Sequence, residues 1–411
     1  MFKLNIFTLL IFSIFLMRTF CELTFDNLNE KLVMSLIRAK PKTNIVASEV
    51  LVRIPLCKLA SVANGDARVE LMTALGYKDN ASLSGYYAGL KRAIKTMLIT
   101  DLTLAHRIFV NYTTEIDPKF ITYSIDNYGI KVDKIGFNFP KAAISHINNL
   151  ISSITYRRIK NIVDESDINK QTQMIIITAA HFKGTWEFPF DLRQTKLTKF
   201  QRIDGKVIRI PMMSKNYQFQ HVENSDCQAI SMHFGSWRAS FTIILPNSQQ
   251  QLPQLLDKIY NEKAYVHNLV KSMKGRFLKV TFPRFKIKTF VDWTGFVKEL
   301  GLNSIFNSTS SGLDGIFKNS TKSIALNKIK QKVFIQIDEV GVARFARLDF
   351  AGPEEPSQEP MPNFVALPQF TADRPFYFDI SLDFETARYQ MFTGVYYGPE
   401  ETPTNVNEFH F

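Results

Sequence analysis

The chain has 411 residues, 45% hydrophobic and 13% aromatic, enough apolar material for a large core and for one or two domains. Its charged fraction, 21%, excludes a wholly disordered chain. The formal net charge of +12 comes without zinc-finger spacing or another nucleic-acid signature, so nucleic acid is excluded as a partner and anionic glycans or membrane surfaces remain.

Met1 to Cys21 reads as a secretory leader. Lys3 gives a positive start, Leu4 to Met17 is an almost unbroken apolar run, and Thr19 and Cys21 flank a tolerable cleavage point. The run falls short of the roughly 20 apolar residues of a membrane span, so no stable membrane insertion is expected. An uncleaved anchor is the alternative. Loss of Lys3 and Arg18 with the leader leaves +10. Secretion makes the four Asn-x-Ser/Thr sequons, at Asn80, Asn111, Asn307 and Asn319, candidate surface glycan sites. Only Cys57 and Cys227 then remain. That is no disulfide framework, and two buried free thiols are favoured over one bridge.

Phe25, Leu28, Leu32 and Leu36 form a helical stripe ended by Pro41. Lys91, Arg92 and Lys95 lie on a further helix, and Arg157, Arg158 and Lys160 close another whose stripe runs Ala143, Ile147, Leu150, Ile151 and Ile154 from Pro140. These basic groups read as solvated helix faces, with sulfated-glycan binding at Lys91, Arg92 and Lys95 as the alternative. Strands follow: "ASFTIILP", "FLKVTFPRFKIKTF" with Pro283 interrupting, and "KVFIQIDEV". Helices dominate the first 165 residues or so and strands the later half. Without repeats or a clear linker, this favours one α+β domain of helices on large, mostly antiparallel sheets.

Chemistry is hard to find. No two His residues are spaced i, i+4, and none joins Cys or acidic residues at metal-ligand spacing. There is no G-x-S-x-G elbow, P-loop or dinucleotide fingerprint, so neither a cofactor nor an enzyme has support.

"LAHRIFVN" (Leu104 to Asn111), "TAAHFKGTWEFPF" (Thr178 to Phe190), "IDEVG" (Ile337 to Gly341), "FTADRPFYF" (Phe370 to Phe378) and "FTGVYYGP" (Phe392 to Pro399) occur in this order. Together they resemble the serpin family across nearly the whole chain after the leader. The resemblance implies about nine helices and three β-sheets, one domain over residues 22–398, and a tail over 399–411. It also implies an exposed reactive loop at about 341–369. In inhibitory members a protease cuts this loop, whose first part inserts as a strand into the central sheet and drags the protease with it, a release of stored strain.

Where inhibitory members carry small residues after the hinge that begins near Glu339, this chain has Gly341, Val342, Ala343, Arg344, Phe345, Ala346 and Arg347. The resemblance places Val342, Arg344 and Ala346 facing inward on insertion. Farther on, Pro353, Pro356, Pro360 and Pro362 each delete a ladder donor. Counting from the hinge puts the scissile bond near Glu355–Pro356, and counting back from "DRPF" puts it near Phe364–Val365. No Lys or Arg lies between Leu348 and Asp373, which argues against a trypsin-like target and leaves a chymotrypsin-like one. In the family's shutter beneath the sheet, Thr178 stands for the usual Asn and Gln331 for the usual His. Ser48 is kept, Glu49 replaces a Pro and Leu51 a second Ser. Trp186 at the sheet's top is kept, as is a pair between Glu339 and Arg284. Some insect haemolymph and seminal members are similarly altered. The expectation is a secreted monomer that binds an extracellular protein or carries a ligand without suicide inhibition, with an inhibitor of a non-tryptic protease and a sulfated-glycan-binding protein as alternatives.

Overall fold

The computed structural model describes residues 26–95, 101–235, 238–317, 323–340, 367–384 and 387–400. In chain order the helices are α1 (Asp26–Ala39), α2 (Glu49–Ala60), α3 (Gly65–Leu75), α4 (Asn80–Lys95), α5 (Pro118–Tyr128), α6 (Pro140–Ile154), α7 (Leu252–Asn261), α8 (Tyr265–Lys271) and α9 (Thr294–Glu299). The strands are β1 (Ile45–Ala47), β2 (Asp101–Asn111), β3 (Lys131–Ile135), β4 (Met174–Lys183), β5 (Lys196–Gln201), β6 (Val207–Glu223), β7 (Cys227–His233), β8 (Ala239–Pro246), β9 (Lys274–Pro283), β10 (Phe285–Asp292), β11 (Leu326–Ile337), β12 (Gln369–Thr371), β13 (Phe376–Phe384) and β14 (Ala387–Tyr396). The α+β class expected from the sequence is observed, with nine α-helices among the described residues.

Local chemistry sets several boundaries. Asp117 caps α5 by accepting from Lys119 N, Pro118 opens the helix, and Gly129 closes it at φ 63°. Pro140 likewise opens α6. Leu28, Leu32 and Leu36 of the first stripe lie on α1, while its Phe25 is outside the described residues, and "FLKVTFPRFKIKTF" becomes β9 and β10, broken at Arg284.

One sheet has the order β10-β11-β4-β2-β3. Ile147 and Ile151 of α6 cover one face, against Phe109, Ile175, Ile177 and Ala179. The opposite face joins the main core, with Ile176, Ala180 and Phe182 packed among residues of α2 and the second sheet. Covered on both faces, β4 is buried at every position but the last, whereas edge strand β10 alternates buried and exposed. The second ladder runs β1-β14-β13-β8-β7-β6-β9-β12, with β5 also on β6. The second and third sheets implied by the resemblance are joined in it: seventeen-residue β6 pairs with β5 over residues 207–212, with β9 over 212–221 and with β7 over 220–223.

Candidate functional site

β4 and β11 lie side by side as parallel neighbours, in register from Lys328 opposite Ile175 to Gln336 opposite Lys183, with a shift of register between Leu326 and Lys328. At mid-seam Gln331 sits opposite Thr178. The Gln331 side chain accepts from Ser48 N at 3.0 Å and donates to Ser48 O at 2.8 Å and to Thr178 Oγ1 at 3.4 Å. All three residues are fully buried. Ser48 is also the N-cap of α2, its Oγ accepting from Leu51 N at 3.4 Å, while Leu51 turns its apolar side chain into the core. The strand pair is thereby fastened to the helix beneath it.

The adjacent Glu49 is buried and pairs with Arg53 one turn on, at 2.5 Å. Arg53 Nη1 also donates to Leu75 O at 3.1 Å and to Tyr77 Oη at 3.4 Å. Burial pushes the Glu49 carboxyl above its usual range, against the pull of Arg53. This ion pair escaped the sequence reading, although Glu and Arg at i, i+4 was a visible signal.

The upper end of the seam holds a second cluster. Trp186 Nε1 donates to Asp338 O at 2.6 Å, and its ring stacks on Phe234 with centroids 4.7 Å apart. A Cβ on Gly184 would come within 2.1 Å of the Phe234 ring, which accounts for the glycine in "FKGTW". Lys183 pairs with Asp338 at 2.9 Å. The expected Glu339–Arg284 pair is present at 3.4 Å with both residues buried, and Thr195 Oγ1 donates to Glu339 Oε1 at 2.7 Å.

The segment after α6 is tied across the outer face of the same strands. Lys330 pairs with Asp167, and both are buried; Lys332 Nζ donates to Lys160 O at 2.6 Å and to Asn161 O at 3.3 Å. Arg158 pairs with Asp101 of β2 at 3.0 Å, so it is not a free surface cation.

Gly341, Val342, Arg344, Phe345 and Arg347 of the hinge lie outside the described residues, as do Glu355, Pro356, Phe364 and Val365 of the scissile region, Asn319 and the leader. Asn80 and Asn307 are exposed, and Asn111 is half-buried at the end of β2. Lys91, Arg92 and Lys95 are exposed on α4, with Lys91 Nζ donating to Asp126 O at 2.7 Å and Arg92 lying 5.9 Å from the centroid of the Phe384 ring. Cys57 and Cys227 are both free and buried, the first thiol pushed up to about 12 by burial. Among the described residues no group of three or more His, Cys, Asp or Glu is set to hold a metal, and no helix is long and apolar enough to cross a membrane.

The family model described as serpin (serine protease inhibitor) matches residues 25–399. The chain belongs to the serpin family. Over 360 residues it is 27% identical to alaserpin of Manduca sexta, covering 87% of this chain and 90% of that one. Antitrypsin of Bombyx mori is 26% identical with the same coverage. Among solved structures, native protease nexin-1 with heparin superposes with a TM-score of 0.81 at 23% identity, over 93% of this chain and all of that one. In this serpin β4 and β11 are closed on each other as hydrogen-bonded neighbours.

Proposed function

We propose that this serpin is a secreted, single-domain extracellular binding or carrier protein that does not work by loop insertion. A closed seam is where insertion begins, so what decides is the sequence that would enter it. The observation that carries the reading is burial at the seam: β4 is covered on both faces, and Val333 and Ile335 of β11 are fully buried. A strand entering here would carry Arg344 into apolar surroundings, and an unpaired buried charge costs several kcal/mol. Phe345 and Arg347 add bulk and a second charge. Insertion would also break the contacts of Gln331 with Ser48 and Thr178. The leader and the sequons at Asn80, Asn111, Asn307 and Asn319 support secretion and glycosylation.

A second reading, an inhibitor of a chymotrypsin-like protease cut near Phe364–Val365, is favoured by the inhibitor names of the insect relatives and by the intact Trp186–Asp338 and Glu339–Arg284 contacts. One experiment separates the two. The loop is nicked between Leu348 and Gln369, and melting curves of intact and nicked protein are compared alongside a search for an SDS-stable chymotrypsin complex. Nearly coincident curves and no complex are expected. A nicked form melting tens of degrees higher, or a stable complex, would overturn the non-inserting reading.

A further inference from the structure

The last turn of α2 carries Lys58, only 1% exposed. Its ammonium lies 4.2 Å from the centroid of the Phe120 ring and 4.6 Å from that of Tyr123, both on α5. Among the described residues no carboxylate comes within ion-pairing distance of it and no oxygen accepts from it. A lysine ammonium has three donors. Two ring faces and the negative end of α2 stabilise the charge, yet they leave every donor unmade.

Lys58 also forms part of the wall of an adjoining space. Lys58, Phe120 and Tyr123 line a cavity of about 640 Å³ between the end of α2, the first turns of α5 and the loop through Gly315. That volume lies within the common range for small-molecule sites, roughly 300–1,000 Å³. Val62 and Pro118 add apolar wall, while exposed Lys119 edges the mouth with a second positive charge. Two carboxylates also border the cavity. Asp117 is engaged in capping α5, accepting from Lys119 N at 2.8 Å, and Asp126 is exposed.

We propose that this cavity binds a small organic anion: one carboxylate, sulfonate or phosphate group taken by Lys58, and an apolar or aromatic body laid against Phe120 and Tyr123. The ligand would supply the acceptors that the buried ammonium lacks and would neutralise it in place. Because an anion favours the protonated amine, binding should weaken as pH rises through about 8, the value to which burial lowers Lys58. The groups around Lys58 in that titration are Asp117, Lys119, Tyr123 and Asp126. The proposal uses none of the seam residues, so its fate is independent of whether the reactive loop inserts.

The test uses the full mature protein and the fluorescent sulfonate 1-anilinonaphthalene-8-sulfonate as probe, with decanoate and inorganic sulfate as competitors. Saturable one-to-one binding displaced by decanoate is expected. Lys58→Met should weaken it tenfold or more while keeping or raising the melting temperature, because a buried unpaired charge is removed. Tyr123→Ala, at an exposed position, should weaken it severalfold and serves as a second variant should the first not fold. Equal affinity in Lys58→Met, or no saturable binding by the wild type, would overturn the site. Competition by inorganic sulfate as effective as that by decanoate would overturn the requirement for an organic body.

Discussion

Glu49, which the serpin resemblance sets at a usual proline position, has its reason in Arg53. With the partner 2.5 Å away and both side chains buried, the carboxylate exchanges water for a guanidinium. Arg53→Met would leave that carboxylate alone in the core and cost about 3–5 kcal/mol near pH 7. Burial already raises the Glu49 pKa, and loss of Arg53 would raise it further. A carboxyl whose folded pKa exceeds its unfolded one is stabilising while protonated and loses that contribution as pH rises from about 4.5 through the folded value. The difference between wild type and Arg53→Met should therefore be largest at neutral pH and shrink toward pH 5. Urea unfolding at pH 7 and pH 5 measures it, and a pH-independent difference would show that Glu49 is not the group left behind.

The seam between β4 and β11 is where one side chain holds three elements together. Gln331 presents both an acceptor and a donor to the main chain of Ser48 and reaches Thr178 with the same amide. The amide of Gln331, which the serpin resemblance sets at the position of a usual His, thus spans the gap to α2. Gln331→Ala would strand the buried Ser48 N–H and carbonyl at a cost of roughly 2–3 kcal/mol. Denaturant midpoints should show that loss at an unchanged m-value. Native-state hydrogen exchange should rise first in β11 and β4. Uniform acceleration across both sheets would mean that Gln331 does not fasten this seam.

For the whole molecule, the net charge of +12 is a long-range property and Lys91, Arg92 and Lys95 are its exposed cluster on α4. Sulfated-glycan binding through them would act by charge neutralisation and weaken steeply with salt. If α4 is the contact, Lys91→Ala, Arg92→Ala and Lys95→Ala together should elute from immobilised heparin at clearly lower salt than wild type. Unchanged retention would assign the binding to charge elsewhere. Lys91 and Arg92 are partly engaged, with Asp126 O and the Phe384 ring, so Lys95→Ala alone should account for a large share of the effect.

The sequence by itself determined the helices buried on one face, one short strand buried throughout, and the family. Stripes at helical spacing became α1 and α6, "ASFTIILP" became β8, Pro283 ended β9, and five ordered motifs gave the serpin resemblance that the family match bears out. It also named the Glu339–Arg284 pair, because the family pattern carried it. Tertiary structure alone decided the rest. Periodicity reports burial on one side only, so α2, buried at all twelve positions and with Pro55 inside it, gave no helical stripe. Strands β2 and β4 were quoted as motifs without being recognised as neighbours, since pairing is set across the sheet and not along the chain. Gln331 and Ser48 are 283 residues apart, and only the closed fold turns their juxtaposition into a hydrogen-bonded lock. Lys58 reads in sequence as one of three charges in the mostly apolar run "EVLVRIPLCKLA". Its enclosure by two aromatic rings at a cavity wall exists only once α5 has packed against α2, because burial is a property of the neighbours that surround a side chain and not of the side chain itself.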